Sequence, residues 1–195
     1  MFFMEFKDYQ KYRWFYTSSK KLVVGGKNAE QNEELIKKMQ AIKQDRIIMH
    51  TQMPGSPFSV ILADIKKVTN NDIKETAIFT ASFSRAWRER SKQANIDIFK
   101  LSQLYKSDAM KQGTFGVKGE IKRISIPLEL ALIKQKSKLR AVPLSSVKSK
   151  NILLKITPGE KDKLQMLPEL QKSLPKYSKE EILAALPSGG IKIKK

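Results

Sequence analysis

His50 is the single histidine of the chain, and there is no cysteine. Disulfides, thiolate zinc sites and thiol nucleophiles are therefore excluded. A metal at His50 would need further nitrogen or sulfur ligands, or a cluster of carboxylates, and the sequence offers none. General acid–base chemistry needs a partner within hydrogen-bond reach, and the neighbouring Thr51 and Gln52 carry no charge. The favoured role of His50 is to fix the Met53–Pro57 turn, with a nucleotide contact second and catalysis third. Anion binding is better provided for. Lys27 and Asn28 follow Gly25-Gly26, where a strand ends and a helix begins, and the freed amides of a helix start attract phosphate. A plain N-capped helix after a tight turn has the same pattern. Gln31, Asn32 and Glu33 either hydrogen-bond a base or support that turn. Arg85, Arg88, Arg90 and Lys92 form the densest basic cluster, and arginine can fork two bonds to phosphate oxygens; a solvated helix end is the alternative. Lys118, Lys122 and Arg123 extend the patch, followed by Lys134, Lys136, Lys138 and Arg140. In the segment around Trp14, Trp14 and Tyr16 share one strand face. Trp14 reads as core and Arg13 as exposed.

The formal net charge is +19, from 38 Lys+Arg against 19 Asp+Glu. Such an imbalance is self-repelling, and its benefit is attraction of polyanions. Nucleic-acid phosphates are the leading partner; a general lysine bias and an anionic membrane surface are the alternatives. Between Lys111 and Lys155 eleven Lys/Arg face only Glu120 and Glu129, so the surplus is concentrated there. No run reaches the ~18 apolar residues of a membrane span. The opening Met1 to Asp8 turns charged too soon for a signal peptide.

The elements that would hold these residues follow from periodicity and turn residues. Tyr9 to Thr17 and Leu22-Val23-Val24 form a hairpin around Ser18–Lys21. Asn28 caps a helix whose apolar stripe is Leu35, Ile36 and Met39. Arg46 to His50 and Phe58 to Leu62 are strands joined by the Met53–Pro57 turn. Thr69 or Asn71 caps the longest helix, predicted to run to about Arg90, with Phe79, Phe83, Ala86 and Trp87 on one face and the small Ala77, Ala81 and Ser84 on another. Ile96 to Leu101, a glycine-bounded segment over 113–119, and stretches over 121–132 and 139–156 supply further strands. Residues 161–174 read as a helix interrupted at Pro168. Ser178 opens a capping box with Glu181, and Ile191 and Ile193 form a last edge strand or a frayed end. The pattern predicts an α+β fold: a largely antiparallel sheet with two main helices and a small helical C-terminal appendage, divided as residues 1–150 and 151–195.

Five short motifs, in order, give the chain a family likeness. They are Tyr12-Arg13-Trp14-Phe15-Tyr16-Thr17-Ser18-Ser19; Gly26-Lys27-Asn28-Ala29-Glu30-Gln31-Asn32-Glu33; His50 with Gly55-Ser56; Ser84-Arg85-Ala86-Trp87; and Gly113-Thr114-Phe115 with Gly119. Across residues 12–132 the chain resembles the NFACT-R domain, the RNA-binding module of the NFACT proteins of ribosome-associated quality control (the Caliban and NEMF group). Two departures stand out. Thr51-Gln52 replaces the Ala-Asp that often follows the histidine, removing an acid beside His50. Glu120-Ile121 precedes Lys122-Arg123 where basic residues often follow directly.

The resemblance implies a stand-alone, cytoplasmic, non-catalytic RNA-binding module for tRNA or rRNA, with the ribosome as a further partner and no cofactor or metal. RNA in preference to DNA comes from the resemblance, since charge alone permits both. The contact residues expected are Arg13, Lys27, Asn28, Gln31, Asn32, His50, Arg85, Arg88, Arg90, Lys92, Lys118, Lys122 and Arg123. The rival readings are an RNA-processing or modifying enzyme using His50 and an adaptor docking on the ribosome through protein contacts.

Overall fold

A computed structural model describes residues 6–194; most of the apolar opening, residues 1–5, lies outside the described residues. The first sheet has six antiparallel strands. In chain order these are β1 (Arg13–Tyr16), β2 (Leu22–Gly25), β3 (Ile47–Thr51), β4 (Ser59–Ile61), β5 (Gln93–Lys100) and, after the small β6–β7 pair (Leu104–Tyr105 and Gly116–Val117), β8 (Lys122–Pro127). Their spatial order is β1-β2-β4-β3-β5-β8. The second sheet has four antiparallel strands, β9 (Leu130–Gln135), β10 (Lys138–Pro143), β11 (Leu154–Asp162) and β12 (Gly190–Lys194), in the order β10-β9-β11-β12.

The two main helices lie on opposite faces of the first sheet. Helix α1 (Ala29–Ala41) starts at Asn28, whose side chain accepts the Gln31 N–H. Its Leu35, Ile36 and Met39 are buried against Trp14, Val24, Ile48, Val60 and Phe99. Helix α2 (Asn70–Ser82) begins in a capping box between Thr69 and Asp72. It is buried nearly all round, because it is wedged between the two sheets: Ala77, Phe79 and Ala81 join Phe15, Met49 and Ile96 of one sheet and Leu132 and Ala141 of the other in a single apolar core. Small residues on both sides of the helix permit that close double contact. The rest of the C-terminal stretch adds α4 (Leu167–Ser173) and α5 (Lys179–Ala185) to the same core through Leu170, Ile182 and Ala185, while β11 and β12 complete the second sheet.

Two local expectations are corrected. The long helix does not reach Arg90: α2 ends at Ser82, and Ser84 caps a separate single turn, α3 (Arg85–Arg88). The break has a distant cause, since the Arg85 N–H donates to the carbonyl of Gly55 at 2.9 Å. Residues 161–174 are not one interrupted helix. Strand β11 continues to Asp162, and Pro168 lies in the first turn of α4, where its missing N–H costs nothing.

The β9–β10 hairpin covers the open edge of β1. Gln135 accepts the Tyr16 N–H at 2.9 Å, and the Arg140 guanidinium donates to the Trp14 carbonyl at 2.8 Å. An otherwise unpaired strand edge is thus satisfied by side chains. Among the described residues no helix is long and apolar enough to cross a membrane.

Candidate nucleic-acid interface

The N-terminus of α1, the 52–58 turn, the β5 strand and the loop after β6 enclose a cleft of about 520 Å³. Its lining includes Gly26, Lys27, Asn28 and Asn32 from the first turns around α1, and His50, Gly55, Ser56 and Phe58 from the β3–β4 turn. Phe83, Asp97, Gly113, Thr114 and Phe115 complete it. Segments far apart along the chain therefore meet at one concavity, and four of the five sequence motifs are represented in its wall or directly behind it.

Much of the motif chemistry is internal bracing. Asn32 is buried, and both ends of its amide are engaged: it donates to the Ser56 carbonyl at 3.2 Å and accepts the Phe58 N–H at 3.0 Å. Gln31 accepts the Lys27 N–H at 3.1 Å. Glu33 accepts from Gly113 N–H at 2.8 Å and from Lys106 at 3.0 Å, and pairs with Lys37. The Gly113 hydrogen bond, then Lys37 and Lys106, pull the Glu33 carboxyl down to about 2. Gly113 itself has φ +74°, and a Cβ there would stand 2.7 Å from the backbone of Ala29. The loop after β6 is thus clamped onto the start of α1.

The cations sort into groups. Lys27 and Asn28 are exposed on the cleft wall. Arg13 is not the exposed residue expected: its guanidinium lies 4.5 Å from the centre of the Phe83 ring, and burial lowers it to about 10. Arg140 lies over Trp14 at 4.5 Å and is also lowered to about 10, by burial and then by the charge of Arg13. Lys27 is lowered by burial and by Arg13, Arg140 and Lys138 in turn. Among the described residues none of these four cations has an acidic partner. Uncompensated positive charge beside a cleft is an electrostatic invitation to an anion.

Arg85 packs over the 52–58 turn, its Nε 3.3 Å from where a Gly55 side chain would stand, and lines a neighbouring groove with Gln52, Ser91 and Asn95. Arg88 faces Gly189 instead. Arg90 and Lys92 border a separate shallow groove with Pro158, Lys192 and Lys194. The four-residue cluster is therefore divided between two surfaces. Lys118 follows Val117 of the cleft lining and lies 4.8 Å over the Tyr105 ring. Lys122 is exposed on β8, and Arg123 beside it holds the Asp97 carboxylate with two N–H bonds of 2.6 and 3.1 Å.

His50 lines the cleft and packs against Phe58, ring centres 4.5 Å apart and tilted by 32°. Its Nδ1 is 2.7 Å from the Thr51 carbonyl. Burial pushes its pKa down, against weaker upward pulls from that carbonyl and from Asp97. The acid missing from the sequence neighbourhood is thus present in space, because the β3–β5 register sets His50 opposite Asp97. Sequence reasoning misses Asp97; its alternation with Ile96 and Ile98 marks it as facing away from that core, but no local signal gives the register. The aromatic wall of Phe58, Phe83 and Phe115 comes from three separate segments with nothing in the sequence to join them. Among the described residues no group of three His, Asp or Glu side chains is placed to hold a metal ion.

A two-sheet α+β module with a cation-rimmed cleft built from these motifs defines the class. The NFACT protein RNA binding domain model matches residues 11–119, more than half of the chain, and the chain belongs to that family. It is 32% identical over 205 aligned residues to the archaeal Rqc2 homolog aRqcH of Methanocaldococcus jannaschii. That alignment covers 98% of this chain and 30% of the relative's length. Among solved structures, the C-terminal part of the fibronectin/fibrinogen-binding protein of Streptococcus suis is similar with a TM-score of 0.52 and 27% identity, over 60% of this chain and 45% of that one.

Proposed function

We propose that the chain is a non-catalytic RNA-binding module, and that RNA enters over the α1 start and the 52–58 turn. Residues within 1–150 make the contact, and 151–195 complete and cover the second sheet. Lys27, Arg13, Arg140 and Arg85 meet phosphates; Lys118 after β7, and Lys122 and Arg123 on β8, continue the path. Asn28 and His50 face the nucleotide, while Gln31 and Asn32 hold the wall. Arg88, Arg90 and Lys92 lie farther from the cleft and provide weaker, long-range attraction. The observation that carries this reading is the convergence of the family motifs on one cleft flanked by cations without acidic partners. Family membership and the Rqc2-type relative support a ribosome-associated quality-control setting in the cytoplasm, with tRNA or rRNA as the ligand.

A catalytic reading has one observation in its favour, the approach of Asp97 to His50. The geometry argues against an acid–base pair: Asp97 is forked by Arg123, and the bonded ring nitrogen of His50 is turned to the Thr51 carbonyl.

The test is equilibrium binding of tRNA across a salt series. Each phosphate contact removed lowers the slope of log K against log salt by about 0.7–1. Lys27→Ala and Arg85→Ala should each do so, and Lys176→Ala, in the exposed turn between α4 and α5, should not. Unchanged slopes for both variants would remove the α1 start and the 52–58 turn from the RNA path.

A further inference from the structure

The polarity of His50 can be worked out from its neighbours. A carbonyl oxygen only accepts, so the short contact from Nδ1 to the Thr51 oxygen places a proton on Nδ1. The ring lies against Phe58 at a tilt of 32° in the cleft wall, and its burial disfavours the charged form. Nε2 then carries a lone pair, and no described residue donates to it. The Asp97 carboxylate, also in the cleft wall, is already held by Arg123. His50 therefore presents a neutral acceptor that asks for a donor from whatever fills the cleft.

The rest of the lining includes the polar Gln52, Gln112 and Thr114, and two further features of it bear on what that is. Phe58, Phe83 and Phe115 offer ring faces and edges with no hydrogen-bonding group, and Lys27 with its cationic neighbours stands at one side. An apolar wall for a base and a cation for its phosphate leave the sugar between them. Every base has some N–H, so an acceptor alone does not sort bases. The 2′-hydroxyl is the donor that each ribonucleotide has and each deoxyribonucleotide lacks.

We propose that the cleft takes one unpaired ribonucleotide, and that His50 Nε2 accepts a hydrogen bond from its 2′-hydroxyl. His50 is thereby the residue that selects RNA over DNA. This rests on the RNA-binding reading above and adds to it a strandedness and an atom. A paired nucleotide cannot enter, because its base is held in the stack.

The experiment uses the full chain and three fluorescent probes: a single-stranded RNA about ten nucleotides long, within the usual span of a single-strand site, the same sequence as DNA, and the RNA as a duplex. Anisotropy titrations are run at one fixed salt concentration, and the salt slope is measured separately. One neutral hydrogen bond corresponds to roughly three- to tenfold in affinity, so single-stranded RNA should bind that much tighter than DNA, and tighter than duplex RNA. His50→Phe keeps the ring against Phe58 and removes the acceptor; the RNA-to-DNA ratio should fall to near one, with the salt slope unchanged. His50→Ala should do the same if folded, as judged by its circular dichroism. A ratio retained in His50→Phe, equal binding of RNA and DNA by the natural sequence, or duplex RNA bound as tightly as single-stranded RNA would each overturn the inference while leaving RNA binding intact. Absence of RNA binding at low salt would instead remove the underlying reading, and this one with it.

Discussion

Replacing Asn32 with alanine tests whether the cleft is held from within. The amide bridges the α1 helix to the 52–58 turn by one donated and one accepted bond. Both partner groups belong to buried residues, Ser56 at 8% and Phe58 at 5% exposure. Alanine leaves the Phe58 N–H and the Ser56 carbonyl without these bonds, and a buried backbone group left unsatisfied costs about 1–3 kcal/mol. The carbonyl retains a second lone pair and the cleft admits water, so the sum is placed at about 2–4 kcal/mol. For a chain of this size each kcal/mol lowers Tm by about 2–4 °C, giving a fall of roughly 5–15 °C in a thermal melt followed by circular dichroism. Asn32→Asp keeps the acceptor for Phe58 N–H but brings a carboxylate to the Ser56 carbonyl, so it too is destabilised. The decisive control is Gln31→Ala, whose bonds are exposed and whose Tm should move by under about 2 °C. A melt for Asn32→Ala within about 2 °C of the natural sequence would refute the bracing argument.

Three further outcomes rest on the same geometry. Gly113→Ala forces a side chain against Ala29 at positive φ and should cost about 1–3 kcal/mol, with faster amide exchange over 106–119; Gly119→Ala, at φ +80° but with more open space around it, should cost less. Glu33 and Glu34 both titrate at about 2 in the folded chain, Glu33 through Gly113, Lys37 and Lys106 and Glu34 through Lys38 and Lys11. The unfolded chain binds their protons first as pH falls, so stability present above about pH 5 is lost toward about pH 2, and urea melts of Glu33→Gln should show a shallower acid dependence. Gln135→Ala uncovers the Tyr16 edge of β1 and should lower stability by about 1 kcal/mol, with RNA affinity unchanged in the same salt-series assay.

What is legible in the sequence is local. The Asn28 cap, the Leu35–Ile36–Met39 stripe and a cap at Thr69 or Asn71 need only residues within two turns, and the structure has the first two and takes Thr69 of the two caps. The β1–β2 hairpin likewise follows from one short turn between apolar strands. The break between α2 and α3 is not legible, because the group that receives the Arg85 N–H is the Gly55 carbonyl, thirty positions earlier. Arg13 reads as exposed because strand alternation does not say that Phe83 will cover it. The site shows the same division. Its motifs are visible one by one, but the pairing of His50 with Asp97 depends on strand register, and the division of Arg85 from Arg90 and Lys92 depends on where the second sheet packs.

The central claim is that RNA lies across this cleft, and ultraviolet crosslinking of bound tRNA to the full chain, with the attached peptides mapped by mass spectrometry, reads it most directly. Crosslinks should concentrate in peptides spanning 23–33, 49–58 and 112–123. Crosslinks confined to peptides from 151–195, with the cleft peptides unmodified, would contradict the account.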